Sequence, residues 1–82
     1  MPPLEQISDI LRRDPDYLDC LLTETEAAKF LGFSIRSLQG WRLKGGGPTF
    51  IKIGGKSVRY RRRDLIGWAD DNRKLSSSGV AL

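Results

Sequence analysis

The chain has 82 residues, is 39% hydrophobic and 29% charged, and carries a net charge of +4. Those figures describe one small globular domain with a modest core, not a disordered chain, and no apolar run approaches the length a bilayer requires. His is absent and Cys20 is the only cysteine, so the commonest general base, the commonest metal ligand and any intrachain disulfide are all removed.

Leu4, Ile7, Ile10 and Leu11 recur at helical spacing, which predicts a short amphipathic helix over residues 4–13, stopped by Asp14-Pro15. Glu5, Asp9, Arg12 and Arg13 lie on its outward face. The opening Met1-Pro2-Pro3-Leu4-Glu5 lacks the basic and apolar regions of a secretory signal. Residues 1–20 are read as an acidic amphipathic helix and linker, outside a main domain at 21–74. Cys20, set among Tyr17, Leu18, Leu21 and Leu22, reads as a small buried hydrophobe.

Leu21-Leu22 is read as a very short strand. Thr23 and Glu26 form a capping box that starts a helix through Ala27, Ala28, Lys29, Phe30 and Leu31. Gly32 ends it, since glycine takes the left-handed conformation found just past a helix end. Ser34 caps a second helix, Ile35 to Lys44, which Gly45-Gly46-Gly47-Pro48 stops. Phe50 to Ile53 and Ser57 to Tyr60 form a hairpin around Gly54-Gly55-Lys56, with Val58 and Tyr60 on one face and Ser57 and Arg59 on the other. A last helix starts near Arg62-Arg63-Asp64 and turns Leu65, Trp68 and Ala69 inward. Ser76-Ser77-Ser78-Gly79 begins a tail, residues 75–82, expected to be mobile.

Charge is sorted along this order. Residues 29–63 hold ten Lys or Arg and no Asp or Glu, whereas residues 1–28 sum to −5 and residues 64–82 to −1. A block of one sign builds a positive surface, whose usual partner is a phosphate backbone. The block offers no carboxylate to act as a base or to hold Mg2+, so the expectation is a protein that is not an enzyme, with no catalytic residues, no metal and no cofactor.

The spacing from Ala27 to Trp41 fits a helix-turn-helix: a small residue at Ala28 where the helices touch, a turn at Gly32, and Ala27, Leu31, Phe33, Leu38 and Trp41 wedged between them. With Leu38 and Trp41 inward, Ile35, Arg36, Ser37, Gln39 and Gly40 face outward, with Arg42 and Lys44 toward the helix end. Arg pairs two-fold with guanine and Gln with adenine, and Gly40 permits close approach. The competing reading is that Arg36 and Gln39 are merely solvated helix surface.

Lys52, Lys56, Ser57, Arg59 and Arg61 lie on or beside the hairpin, as a wing gripping a groove edge would place them, though the same residues would also keep an ordinary hairpin soluble. Some of Arg61 to Arg63 are expected beside Asp64, Asp70 or Asp71. Trp41, Trp68, Phe30, Phe33 and Tyr60 read as core and not as stacking platforms for single strands. The expected fold is mainly α with a small β-hairpin, a winged helix-turn-helix in one domain.

Three runs carry a family resemblance: Leu21-Leu22-Thr23-x-x-Glu26-Ala27-Ala28-x-x-Leu31-Gly32-Phe33-Ser34, Gly47-Pro48-x-x-Ile51-Lys52-Ile53-Gly54, and Val58-Arg59-Tyr60-x-x-x-Asp64-Leu65-x-x-Trp68. Over residues 21 to about 70 the chain resembles the excisionase-type, AlpA-like winged helix-turn-helix domains related to the DNA-binding part of MerR regulators. The resemblance implies a phage, prophage or mobile-element protein of the bacterial cytoplasm and nucleoid.

Its second helix, Ser34 to Lys44, would enter the major groove, and the hairpin with Lys56 and Arg59 would form the wing. Ile35 departs from the polar residue common in the family, which suits a thymine methyl or a neighbouring subunit. The resemblance does not reach residues 1–20.

The leading functional expectation is an excisionase, or recombination directionality factor. Such a protein binds repeated sites beside an attachment site, bends double-stranded DNA and helps an integrase excise the element. One small winged domain buries limited surface on DNA, so cooperative side-by-side binding is expected. The acidic first segment would meet the basic block of a neighbour, or else fold back on its own domain. A transcriptional regulator of the same fold is the alternative, and a phage assembly adaptor is a third. Neither a membrane nor a small-molecule ligand is expected as a partner.

Overall fold

Helix α1 (Leu4–Arg13) opens the computed structural model, which describes the backbone of residues 1–80 and the side chains of 1–3 and 5–72. Its apolar face holds Ile7 buried and Ile10 and Leu11 half-buried, and it packs against a single 3-10 turn, Tyr17–Asp19. Asp14-Pro15 separates the two, as the proline requires.

Strand β1 (Leu21–Thr23) leads directly into α2 (Glu24–Leu31). Thr23 Oγ1 accepts from the Glu26 N–H at 3.2 Å, and Glu26 Oε1 accepts from the Thr23 N–H at 2.9 Å, so the capping box closes in both directions. Gly32 has φ +78°, and its N–H reaches back to the carbonyl of Lys29 at 3.2 Å. An L-residue there would be strained, so this glycine fixes where α2 ends. Two residues later Ser34 Oγ accepts from the Ser37 N–H at 3.2 Å and starts α3 (Ile35–Lys44).

Strands β2 (Ile51–Ile53) and β3 (Ser57–Arg61) form the expected hairpin, with Gly54 and Gly55 both at positive φ in its turn. The sheet has three strands, ordered β1-β3-β2 and antiparallel throughout, because β1 joins the free edge of β3. Leu22 lies opposite Tyr60 and Thr23 opposite Arg59. Period-two alternation then sets Leu22, Val58 and Tyr60 toward the core and leaves Leu21, Thr23, Ile51, Ile53, Ser57, Arg59 and Arg61 on the outer face.

The core is Leu22, Ala27, Ala28, Leu38, Tyr60 and Leu65, with Phe30, Leu31, Trp41, Phe50 and Val58 packed against it. Helix α2 is central and touches β1, β3, α3 and α4. Ala27 and Ala28 are buried on it, and their lack of bulk lets four neighbours approach one short helix.

Helix α4 (Arg62–Val80) buries Leu65 as expected, and Ile66 as well. It continues past Ser76, where the tail was expected to begin, and residues 81–82 of that tail lie outside the described residues. Cys20 corrects the sequence reading, because it is exposed. It follows the 3-10 turn and precedes the strand, so the alternation that buries Leu22 does not extend back to it.

Candidate nucleic-acid interface

Helix α3 is held at both ends. At its start are the Ser34 cap and a contact between the Ser34 and Ser37 hydroxyls at 3.0 Å. At its C-terminal end Arg42 turns inward, with Nε donating to Glu24 Oε2 at 2.8 Å and Nη2 to Glu24 Oε1 at 3.3 Å. The Tyr60 hydroxyl donates to the same Oε2 at 3.1 Å. The Arg42 and Glu24 side chains are 18% and 13% exposed, so water screens the pair little.

Burial pushes the Glu24 carboxyl up, but hydrogen bonds from Arg42 and Tyr60 and the Arg42 charge outweigh it and hold the group below its ordinary 4.5, with Gln39 adding in the same direction. The same contacts raise Arg42. Burial first, and the Glu24 charge second, push the Tyr60 phenol up to about 12.

With Leu38 fully buried, helical geometry places Arg36, Gly40 and Leu43 most nearly opposite it. Arg36 and Lys44 are exposed and, among the described residues, form no ion pair. Ile35 is exposed near the helix start. Gln39 is half-buried at the edge of this face, and Ser37 is drawn into the Ser34 cap. The outward stripe is therefore Arg36, Gly40 and Leu43, flanked by Gln39 and Lys44, and Arg42 is set apart from it by Glu24.

Leu43 was absent from the sequence reading and is 76% exposed. The signal that finds it is its spacing, seven residues after Arg36 and five after Leu38.

The wing residues divide into two groups. Lys56 lies in the hairpin turn and Lys52 on β2, both exposed and without an ion pair among the described residues. Arg59 and Arg61 lie along the outer sheet face, half-buried, with Ser57 exposed beside them. Arg59 Nη1 donates to the Val58 carbonyl at 2.9 Å, which lays its guanidinium along the strand.

The remaining basic pair is structural. Arg63 Nε donates to Asp19 Oδ1 at 3.1 Å, and Arg62 stacks over the Tyr17 ring at 4.1 Å while its Nη1 donates to the Tyr17 carbonyl at 3.3 Å. These arginines bind the first segment, where acids of α4 were the expected partners, so the chain between α1 and β1 folds back on its own domain.

Phe33, Trp41 and Trp68 form an aromatic group beside α3, with centroids 5.1 Å apart for Phe33 and Trp41 and 5.0 Å for the two tryptophans. Trp68 Nε1 donates to the Gly46 carbonyl at 3.0 Å, tying the loop after α3 to α4. Trp41 and Trp68 are half-buried as core residues should be, but Phe33 is 48% exposed.

Two capped helices joined at a left-handed glycine, Arg36 and Lys44 exposed on the second, and a basic hairpin define a DNA-binding helix-turn-helix protein. The helix-turn-helix domain family matches residues 21–73, more than half of the chain, and the chain belongs to that family. No curated protein matches it. Among the described residues, no helix is long and apolar enough to cross a membrane.

Proposed function

We propose that this protein is an excisionase-type architectural factor that binds repeated duplex sites beside an attachment site through α3, bends the DNA and promotes integrase-mediated excision of a mobile element. The observation that carries DNA binding is the Arg36–Gly40–Leu43 stripe, flanked by Lys44, which forms no ion pair among the described residues, on a helix that the Glu24–Arg42 pair holds against α2. The excisionase role is supported by the resemblance of residues 21 to about 70 to AlpA-like domains. Phosphates would be gripped by Lys52 and Lys56 at the hairpin and by Arg59 and Arg61 along the sheet, with Ser57 between them. Ser34 and Ile35 would lie nearest the groove at the start of α3. The protein acts without catalysis, cofactor or metal, in the cytoplasm on the nucleoid.

Neighbouring copies bind cooperatively. Asp19, Glu24 and Glu26 are engaged within their own chain and Asp9 lies beside Arg12, which leaves Glu5, Asp14 and Asp16 exposed and outside any ion pair among the described residues; Asp14 and Asp16, nearer the domain in sequence, would meet the basic block of an adjacent copy.

The test is a set of gel shifts on short duplexes tiling the protein's own gene and any nearby integrase attachment site, at several salt concentrations. A ladder of complexes on repeats beside the attachment site supports the reading, and a D14N/D16N variant should keep the first band and lose the higher ones. A single complex at a promoter replaces the excisionase with a transcriptional regulator. No shift even at low salt removes DNA binding and points to a protein adaptor.

A further inference from the structure

A glycine inside a helix weakens it, so it calls for a reason. Gly40 lies in mid-α3, and a Cβ built on it would meet nothing within 4 Å, so the protein's own packing does not require the absence of a side chain. Its helical neighbours are Arg36 four residues before, Leu43 three after and Lys44 four after. Gly67 of α4 is equally open, but its neighbours at those offsets are Arg63, which is drawn to Asp19, and then Asp70 and Asp71, so no comparable basic face surrounds it. One exposed leucine is ordinary on any protein surface. A leucine 76% exposed, one turn from an unneeded glycine that itself lies between the exposed Arg36 and Lys44, is a shaped surface.

We infer that Gly40 and Leu43 form a close-approach site for a thymine in the major groove: Gly40 lets the backbone of α3 come against the base edges, and the Leu43 side chain packs on the thymine C5 methyl. The inference rests on the DNA-binding reading and adds a specificity element to it. Phosphate attraction draws α3 to the duplex but carries no sequence information, whereas an apolar contact with the thymine methyl does. The missing Cβ matters because a methyl there would hold the helix off the groove floor and lift Leu43 away from the base.

The experiment uses the full chain and a duplex of about 20 base pairs that the wild-type protein selects from a random pool. Each thymidine is then replaced, one at a time, by deoxyuridine, which removes only the C5 methyl. One replacement should weaken wild-type binding by about fourfold, the worth of one buried methyl group. L43A should bind the thymidine duplex more weakly and lose that discrimination. G40A should melt several degrees higher, because alanine favours the helix, yet bind at least about tenfold more weakly. Gain of stability with loss of binding separates a contact surface from a folding effect.

If G40A and L43A bind as wild type does, with discrimination at deoxyuridine intact, the inference is overturned while DNA binding stands. If L43A loses only the higher bands of the ladder, Leu43 serves a neighbouring copy and the thymine contact is overturned. If the wild-type protein selects no duplex at all, the DNA-binding reading fails and the inference fails with it.

Discussion

Glu24 and Arg42, eighteen residues apart, face each other across the helix-turn-helix, and Tyr60 from the sheet closes on the same carboxylate. One acid thereby joins the first turn of α2, the last turn of α3 and strand β3. A helix-turn-helix reads DNA only if its second helix keeps a fixed angle, and this contact fixes it from the end opposite Gly32. Arg42 thus serves the geometry of the interface from inside the protein.

Arg42→Ala should cost about 2 kcal/mol, since it strands a carboxylate that is largely out of water. For a chain of this size that corresponds to a fall in Tm of roughly 10 °C. Glu24→Gln keeps one acceptor oxygen where the carboxylate offered two, and should cost about 1 kcal/mol. Well below Tm, Arg42→Ala should leave the salt dependence of DNA binding unchanged. Loss of a phosphate contact would instead reduce the slope of log K against log salt by about one, and finding that would return Arg42 to the DNA interface.

The same triad sets two pH windows. The folded-state pKa of Glu24 lies below 4.5, so its stabilisation is complete above that value and is lost as pH falls through the depressed one. Tyr60 titrates near 12, above its ordinary 10.0, so its contribution is complete below pH 10 and is lost as pH rises toward 12. Urea unfolding midpoints across pH should show a plateau bounded on both sides. Glu24→Gln should flatten the acid limb relative to wild type. It should shift the alkaline limb only in part, because burial is the largest cause of the Tyr60 shift. An acid limb identical in both proteins would detach Glu24 from acid stability.

The local features of this fold are written in short stretches of sequence. A capping box needs residues three apart, a helix stop needs one glycine, and a hairpin turn needs two. For that reason the roles of Thr23, Gly32, Ser34 and Gly54-Gly55 are legible in the sequence alone. Partnerships between distant residues are not. Arg42 on α3 looks in sequence like any other cation on a recognition helix, and only the fold brings Glu24 to it. Arg63 looked like a partner for nearby acids, but Asp19, forty-four residues away, takes it. Leu43 escaped for a different reason. Apolar residues are assigned inward by default, and α3 carries more of them than its buried face accepts, so counting from Leu38 is needed to see that Leu43 faces out. Cys20 misled in the same way, since apolar neighbours in sequence say nothing about the direction of a residue at a junction.

Gly47 differs from Gly40 in kind. A Cβ on Gly47 would lie 2.5 Å from Trp41 Cβ, closer than atoms can pack. The loop there cannot yield easily, because Pro48 beside it is buried and the Gly46 carbonyl is held by Trp68. Gly47→Ala should therefore destabilise by about 2 kcal/mol, in the range for overpacking. It should also alter Trp fluorescence, since Trp41 must move against Trp68. A thermal melt indistinguishable from wild type, with unchanged fluorescence, would show that the loop relaxes freely.

The 3-10 turn at Tyr17–Asp19 is strapped to α4 by two arginines of unequal worth. Arg63 and Asp19 are 55% and 60% exposed, so water screens their pair and Asp19→Ala should cost no more than about 0.5 kcal/mol. Arg62 lies over the Tyr17 ring, donates to the Tyr17 carbonyl, and through its backbone N–H donates to the Cys20 carbonyl at 3.1 Å. Tyr17→Ala removes the ring and its cation–π contact, and should cost about 2 kcal/mol. Tyr17→Leu keeps most of the apolar contact and should cost less, with the difference reporting the cation–π share. Urea denaturation of the three variants orders them: Tyr17→Ala lowest, Tyr17→Leu between, Asp19→Ala near wild type. If Asp19→Ala proved as damaging as Tyr17→Ala, the exposed ion pair and not the stacked arginine would hold the first segment to the domain.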